Sequence, residues 1–279
     1  MGDEATDTCT TPFGIRSIRF TADNGFYLND RRGQFKGICL HHDQGPLGTA
    51  FFPRAMERQL EIMKAMGVNA VRRNHNVAAP ELLDLCGRMG ILVFDEASDK
   101  YDNKADITPD TDFDDFAHLN IRNFVLRDRN HPCIFIWSIG NEMGDIQNYI
   151  NNGFQKLNTM VTYVRMYDPS RPVTMVCDNE AAAAKRHFDY YDVISYNYGQ
   201  RWKLARQMEP NKAVIISESV PVFIYTNGDA AELFLNGKSL GRKSKNPTSR
   251  NSAERFRIMW NDVPFHPGEL RAVAYKAGK

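Results

Sequence analysis

The sequence predicts an α/β fold built on parallel strands, followed by a smaller all-β segment. Between Phe35 and Glu218, short apolar or β-branched runs alternate with segments of helical periodicity seven times, and that order makes the strands parallel. After Glu218 the alternation stops. Ser219-Val220-Pro221 leads at once into Val222-Phe223-Ile224-Tyr225, without the roughly 10–12 residues that a parallel crossover needs. From there the apolar residues recur with period two between tight turns, as antiparallel strands require.

Taken in order, Phe13 to Thr21 alternates apolar and polar residues and reads as one half-buried strand, too little to form a domain. Phe35 to Leu40 is the first strand of the parallel set and leads into His41-His42-Asp43. Pro53 suits the first turn of a helix in which Met56, Leu60, Met63 and Met66 share a face, and Gly67 closes it. The methionines read as core filler. Val68 to Arg72 is the second strand, continuing into Arg73-Asn74-His75-Asn76. A helix from Pro80 turns Leu82, Leu83, Cys86 and Met89 inward and closes at Gly90. Ile91 to Phe94 is the third strand, ending in Asp95-Glu96. Ala97 to Asp112 is a polar loop of a length that often carries function. Phe113, Ala117, Ile121 and Phe124 then form a helical stripe, which Pro132 stops near His131. Cys133 to Ile139 is a strand buried on both faces, ending in Gly140-Asn141-Glu142. Phe154, Leu157, Val161 and Val164 mark the next helix. Pro172 to Val176 and Asp192 to Asn197 are the fifth and sixth strands. A short helix over Trp202 to Met208 leads to the seventh, Lys212 to Glu218. In the tail, Asn236-Gly237 between Glu232–Leu235 and Lys238–Gly241 signals a type I′ hairpin. Phe256, Ile258 and Trp260 alternate with polar residues, Pro267-Gly268 marks a turn, and Leu270 to Tyr275 is a final strand.

Composition bounds the function. The 279 residues suffice for one large domain or two smaller ones, and with 42% apolar residues they can build a packed core. A formal net charge of +1 favours neither nucleic acid nor an anionic membrane surface as partner. No apolar run approaches the ~20 residues of a membrane helix. Met1 to Thr10 is polar and acidic and does not read as a secretory signal, which leaves the compartment undetermined. Of the five cysteines, Cys39, Cys86, Cys133 and Cys177 sit in apolar segments and read as buried thiols. No Cys/His spacing reads as a zinc site, and neither metal nor cofactor is expected.

On the residues alone, Glu142 is either a catalytic carboxylate at the C-terminal end of a parallel strand, where α/β barrels carry their chemistry, or a solvated strand-end Glu. A longer pattern surrounds it. Arg127-Asp128-Arg129-Asn130-His131-Pro132 followed by Trp137-Ser138-Ile139-Gly140-Asn141-Glu142 resembles the acid/base signature of glycoside hydrolase family two, which holds β-galactosidases, β-glucuronidases and β-mannosidases. The resemblance implies a (β/α)8 TIM-type barrel, here lacking its eighth βα unit because no crossover follows Glu218. Tyr225-Thr226-Asn227-Gly228 to Leu235-Asn236-Gly237-Lys238, with Trp260-Asn261-Asp262-Val263-Pro264, resembles the immunoglobulin-like domain after the barrel in bacterial members. Phe13 to Thr21 resembles the last strand of the sandwich that precedes it. The expected organisation is a remnant strand over 1–25, a catalytic barrel over 26–220 and a partial immunoglobulin-like sandwich over 221–279, with the rest of the preceding sandwich and the sugar-binding domain before it absent.

Glycoside hydrolysis needs two carboxyl groups flanking the glycosidic bond. The resemblance implies that Glu142 is the proton donor, that Asn141 holds the sugar 2-hydroxyl, and that Glu218, in Ile215-Ile216-Ser217-Glu218, is the nucleophile. Glu142 must start protonated, so a pKa raised by the neighbouring carboxylate and partial burial is expected. Arg72 either keeps Glu218 ionised and oriented or forms a barrel-mouth ion pair with Asp95 or Glu96. His41 and His75 match family positions that contact the sugar, and Tyr198 the position of a tyrosine hydrogen-bonded to the nucleophile. Asp43 either meets a sugar hydroxyl or caps its loop, and His131 reads as structural. The sequence also departs from the family. Asn76-Val77-Ala78-Ala79-Pro80 lacks the prolines relatives usually carry right after the Asn. In Asp95-Glu96-Ala97-Ser98-Asp99-Lys100-Tyr101, relatives usually have aromatics at the positions of Ser98 and Tyr101 and an acid at that of Lys100. The loop after strand seven and the tryptophan expected at the end of strand eight are missing.

The resulting expectation is a retaining exo-glycosidase acting on terminal β-galactosides, a choice supported by His41-His42-Asp43-Gln44-Gly45 and the tail. A β-glucuronidase of the same family, a catalytically inactive truncated remnant, and a sugar-binding module using the tail stay open. An incomplete barrel would expose the edges of strands one and seven, and pairing with a second copy would cover them, so a homo-oligomer is expected.

Overall fold

The computed structural model describes residues 8–11, 13–100, 112–179, 182, 186–198, 202–218, 222–249, 255–260 and 268–277. The chain divides into two compact units, Met1–Glu218 and Ser219–Lys279. The 101–111 part of the predicted polar loop, Ser219-Val220-Pro221, the Asn261–Pro264 segment and Pro267 lie outside the described residues.

The first unit opens with an antiparallel meander, β1 (Ile18–Thr21), β2 (Gly25–Leu28) and β3 (Arg31–Gly33). Then come β4 (Gly37–Leu40), α1 (Pro53–Ala65), β5 (Ala70–Arg73), α2 (Pro80–Met89), β6 (Leu92–Glu96), α3 (Phe113–Asp128) and β7 (Ile134–Asn141). After it follow α4 (Gly144–Asn148), α5 (Gly153–Tyr167), β8 (Val173–Cys177), β9 (Val193–Asn197), α6 (Trp202–Met208) and β10 (Ala213–Glu218). The seven strands β4 to β10 pair in parallel and in sequence order. The Cys39 thiol on β4 donates to the Ser217 carbonyl on β10 at 3.3 Å, so the sheet curls until its outer strands face each other. Among the described residues, this is the (β/α) barrel architecture with seven parallel strands.

Two kinds of packing hold it. Outside the sheet, Leu82, Leu83 and Cys86 of α2, Ala117, Ile121 and Phe124 of α3, and Leu157, Met160 and Val164 of α5 pack onto Val71, Val93, Ile134, Trp137 and Ile194. Each buried Leu, Ile, Val, Met or Phe among them contributes about 1.5–3 kcal/mol. A second cluster joins Phe94, Phe135, Val176, Val193 and Ala213 of the sheet to Phe26, with Ile18, Phe20, Leu28 and Phe35 against it. Phe35 stacks on Phe135 at 4.5 Å between ring centroids, and Phe26 lies 4.4 Å from Phe35. The meander therefore plugs one end of the curled sheet, and the polar residues at the C-terminal strand ends are left to line the other.

Local chemistry explains the boundaries. Pro53 and Pro80 occupy first helical turns, and Asp112 caps α3 by accepting from the Asp114 backbone N–H at 2.8 Å. Gly90, at φ +68°, closes α2, as only a residue without a Cβ does at low cost. Each predicted parallel strand forms within two residues of its expected span. Phe13 to Ser17, by contrast, is not strand, and only Ile18–Thr21 pairs. Phe154 starts its helix at 38% exposure, and the fully buried Met160 takes the inward place instead.

The second unit is antiparallel. β11 (Val222–Tyr225) pairs with β14 (Arg257–Trp260), so this run is not an eighth parallel strand. β12 (Ala230–Leu235) pairs with both β13 (Lys238–Ser244) and β15 (Leu270–Tyr275). The β12–β13 turn has Asn236 at φ 51° and Gly237 at φ 78°, the positive pair a type I′ turn requires. Ala231, Leu233, Ile258 and Trp260 form its core. Phe256 lies outside β14 and is exposed, so the predicted alternation begins at Ile258.

Candidate active site

Strand alternation sorts the residues at the C-terminal ends. On β5, Arg72 points toward Glu218 and Glu96, while Arg73 donates to the Leu40 carbonyl and to Asn76. On β6, Phe94 belongs to the inner cluster and Glu96 meets Arg72, while Asp95 between them is sealed on the other face. Burial pushes the Asp95 carboxyl well above its usual range, and the nearby Asp128 adds to that.

Arg72 is the hub. One guanidinium nitrogen donates to Glu218 Oε1 at 2.6 Å, the other to Glu96 Oε2 at 2.8 Å and to Asn141 Oδ1 at 3.1 Å. Arg72 thus meets Glu218 and a second carboxylate together, and that second one is Glu96 rather than Asp95. Glu218 also accepts from Asn74 Nδ2 at 3.0 Å and from the Tyr198 hydroxyl at 2.5 Å. His75 lies between the acids, Nδ1 at 2.7 Å from Glu96 and Nε2 at 3.3 Å from Glu218. His41 is exposed and meets His75 edge-on at 5.6 Å. Ser138 donates to Glu96 at 2.8 Å.

Glu142 follows the end of β7 and enters the same network by another route. Asn197 Nδ2 donates to Glu142 Oε1 at 2.7 Å and to Asn141 Oδ1 at 2.9 Å. The two predicted carboxyl groups are therefore joined through Asn197, Asn141 and Arg72. Glu142 and Tyr198 have φ of 47° and 58°, a left-handed conformation costing such residues about 1–2 kcal/mol. Strain of this kind gathers where a side chain must be aimed.

The environments drive the two acids apart. Burial raises the Glu142 pKa, the Asn197 hydrogen bond opposes it, and the negative charges of Asp178 and Glu218 add to the rise; the net shift is upward. Burial would raise Glu218 too, but the Tyr198 hydrogen bond and the Arg72 charge outweigh it and hold this carboxyl below its usual value. In turn, donating to Glu218 raises the Tyr198 pKa. Two carboxyl groups whose surroundings push their pKa values in opposite directions are the kind of pair that can divide into acid and nucleophile.

The structure thus brings together Glu142, Glu218, Arg72, His75, Asn141 and Tyr198, with His41 at the edge. Asp43 accepts from the Gly45 backbone N–H and caps its loop. His131 contacts the Asp128 carbonyl and Asp84, outside this network. Sequence reasoning did not single out Asn74, Asp99 or Asn197 as site residues. Asn197 ends a parallel strand just before Tyr198, so the strand-end logic applied to Glu142 was the available signal.

Known proteins share the family and the fold of this chain. Residues 20–228 match the profile of the glycosyl hydrolases family 2 TIM barrel domain, and residues 217–279 match a domain of unknown function (DUF4982). A β-galactosidase of Bacteroides ovatus is 39% identical over 308 aligned positions, covering 97% of this chain and 36% of the relative. That alignment is longer than this chain, so the relative has residues with no counterpart here. Human β-glucuronidase is 30% identical over 203 residues, covering 70% of this chain and 29% of its own length. Among solved structures, a glycosyl hydrolase family 2 member from Bacteroides cellulosilyticus superposes with a TM-score of 0.67 at 28% identity, over 96% of this chain and 48% of that one. The chain spans about a third of the length of the curated relatives it matches.

Proposed function

Because the chain belongs to glycosyl hydrolase family 2, we propose that it carries the catalytic centre of a retaining exo-glycosidase acting on terminal β-galactosides. Glu218 attacks the anomeric carbon while the Glu142 proton passes to the glycosidic oxygen. The glycosidic bond breaks, the alcohol leaves, and the sugar stays esterified to Glu218. Glu142, now a carboxylate, takes a proton from water, whose oxygen attacks the same carbon and releases Glu218. Two inversions retain the configuration.

The observation that carries this reading is the oppositely tuned carboxyl pair, bridged by Arg72, Asn141 and Asn197. Arg72 and Tyr198 keep the nucleophile ionised and aimed; His75 and His41 line the sugar's approach, and Asn141 meets the 2-hydroxyl. Galactose is proposed over glucuronate on the resemblance of His41-His42-Asp43-Gln44-Gly45 and the tail to bacterial β-galactosidases; a β-galactosidase and a relative named as a β-glucuronidase each match nearly the whole chain, at 39% and 38% identity. The seven-stranded sheet favours a second reading, an inactive remnant of such an enzyme. A second copy of this chain is the proposed partner for the outer edges of β4 and β10.

The test is hydrolysis of nitrophenyl β-galactoside, β-glucuronide and β-mannoside by the purified chain. Preferential turnover of the galactoside is expected, with Glu142→Gln and Glu218→Gln each losing at least about a hundredfold in kcat. Preference for the glucuronide would replace the sugar assignment. No turnover by folded protein would favour the remnant.

A further inference from the structure

Beside the network above lies a pair that no role so far absorbs, Asp99 and Lys100, just past the end of β6. Asp99 holds Asn141 twice. Its carbonyl accepts from the Asn141 backbone N–H at 2.9 Å, and its carboxylate Oδ1 accepts from Asn141 Nδ2 at 3.1 Å. Lys100 Nζ donates to the same Oδ1 at 2.8 Å. At the other end of that amide, Asn141 Oδ1 accepts from Arg72 and from Asn197. Two donors therefore face the amide oxygen and a carboxylate faces the amide nitrogen. A flipped amide would set its N–H groups against the donors and its oxygen against the carboxylate, so one orientation survives.

We propose that Asp99 is a positioning residue that locks the Asn141 amide so that its second N–H meets the substrate's 2-hydroxyl, with Lys100 neutralising the Asp99 charge beside two catalytic carboxyls. The proposal rests on the glycosidase reading and adds to it a residue that touches no substrate. Arg72 and Asn197 fix the oxygen end, and Asp99 supplies the third point that fixes the amide plane. The contact is charge-assisted, and such bonds are about twice as strong as neutral ones. Displacing a substrate contact by a fraction of an ångström to one ångström costs up to a hundredfold in rate. The Asp99 side chain is 45% exposed, so its replacement opens no buried cavity.

The test compares wild type, Asp99→Leu and Asp99→Asn on nitrophenyl β-galactoside and its 2-deoxy analogue. The side-chain amide resonances of Asn141, assigned by their loss in Asn141→Asp, are recorded in the unliganded proteins. Asp99→Leu is expected to move those resonances. It should lower kcat/KM on the intact sugar by about 10-fold to 100-fold, and on the 2-deoxy sugar by less than about threefold. Asp99→Asn keeps an acceptor and should stay near wild type. Equal losses on both sugars, or unmoved resonances in Asp99→Leu, would overturn the proposal. Wild-type protein that hydrolyses no glycoside would remove the glycosidase reading instead, while the resonances still report whether Asp99 holds Asn141.

Discussion

Glu142 and Glu218 are the same residue type at the same kind of place, the end of a parallel strand, yet their surroundings separate them. Glu142 is half-buried beside other negative charges and rises; Glu218 is buried against a guanidinium and a phenol and falls. The sign of each influence gives a pH prediction. The reaction proposed above needs Glu218 ionised, so activity is expected to fall as pH drops through its pKa. Tyr198→Phe removes a donor to the ionised form, raises that pKa and moves the acid limb of kcat/KM to higher pH. The reaction also needs Glu142 protonated, so activity falls as pH climbs through its pKa. The Lys100 charge favours ionised Glu142; Lys100→Gln therefore raises that pKa further and moves the alkaline limb upward. A pH–rate profile checks both, and a shift of either limb in the opposite direction would contradict the assignment. Glu218 itself could be named from the sequence, but its low pKa could not, because Tyr198 and Arg72 reach it from positions 20 and 146 residues away.

At the scale of elements, the turn between α3 and β7 decides where Asn141 and Glu142 stand. Pro132 ends the helix, as the sequence implies, but the turn is held from outside it. Arg171, just before β8, donates to the carbonyls of Arg129 at 2.7 Å, His131 at 3.1 Å and Ile134 at 3.0 Å. It also pairs with Asp168, which accepts from Trp137 Nε1 at 2.9 Å. Arg171 is buried, so Arg171→Leu takes a donor from three carbonyls and the counter-charge from the buried Asp168 carboxylate. Removing one partner of a buried ion pair costs about 3–5 kcal/mol, which lowers the Tm of a unit this size by on the order of 10 °C. Thermal unfolding followed by circular dichroism measures it, and a loss under about 2 °C would show that the turn holds without the guanidinium. Elements of strong periodicity were legible: α1, α2, α3 and α5, and every parallel strand, follow from apolar spacing and from Pro and Gly at their ends. The five-residue α4 was not, since one turn is too short to show a period, and its Ile146 is its single buried aliphatic.

For the molecule as a whole, the consequence of seven strands is that, among the described residues, β4 and β10 each have a sheet neighbour on one side only. Such edges pair with other chains unless covered. Sedimentation over a range of concentrations is expected to show a dimer that dissociates on dilution; a monomer at every concentration would mean that contacts such as Cys39 to Ser217 protect the seam well enough. The charge balance of +1 leaves little net repulsion to oppose such pairing.

By itself the sequence determined the alternation of strand and helix, the missing crossover after Glu218 and the antiparallel tail. Each is a local property, readable from residue order and side-chain period. Only the tertiary structure decided that Arg72 serves Glu96 and Glu218 at once, that Asn197 links Asn141 to Glu142, and that Asp99 grips Asn141 from behind. Those contacts join strand ends far apart in the chain, and their partners depend on which way each side chain turns once the sheet has curled, a direction that residue order alone does not contain.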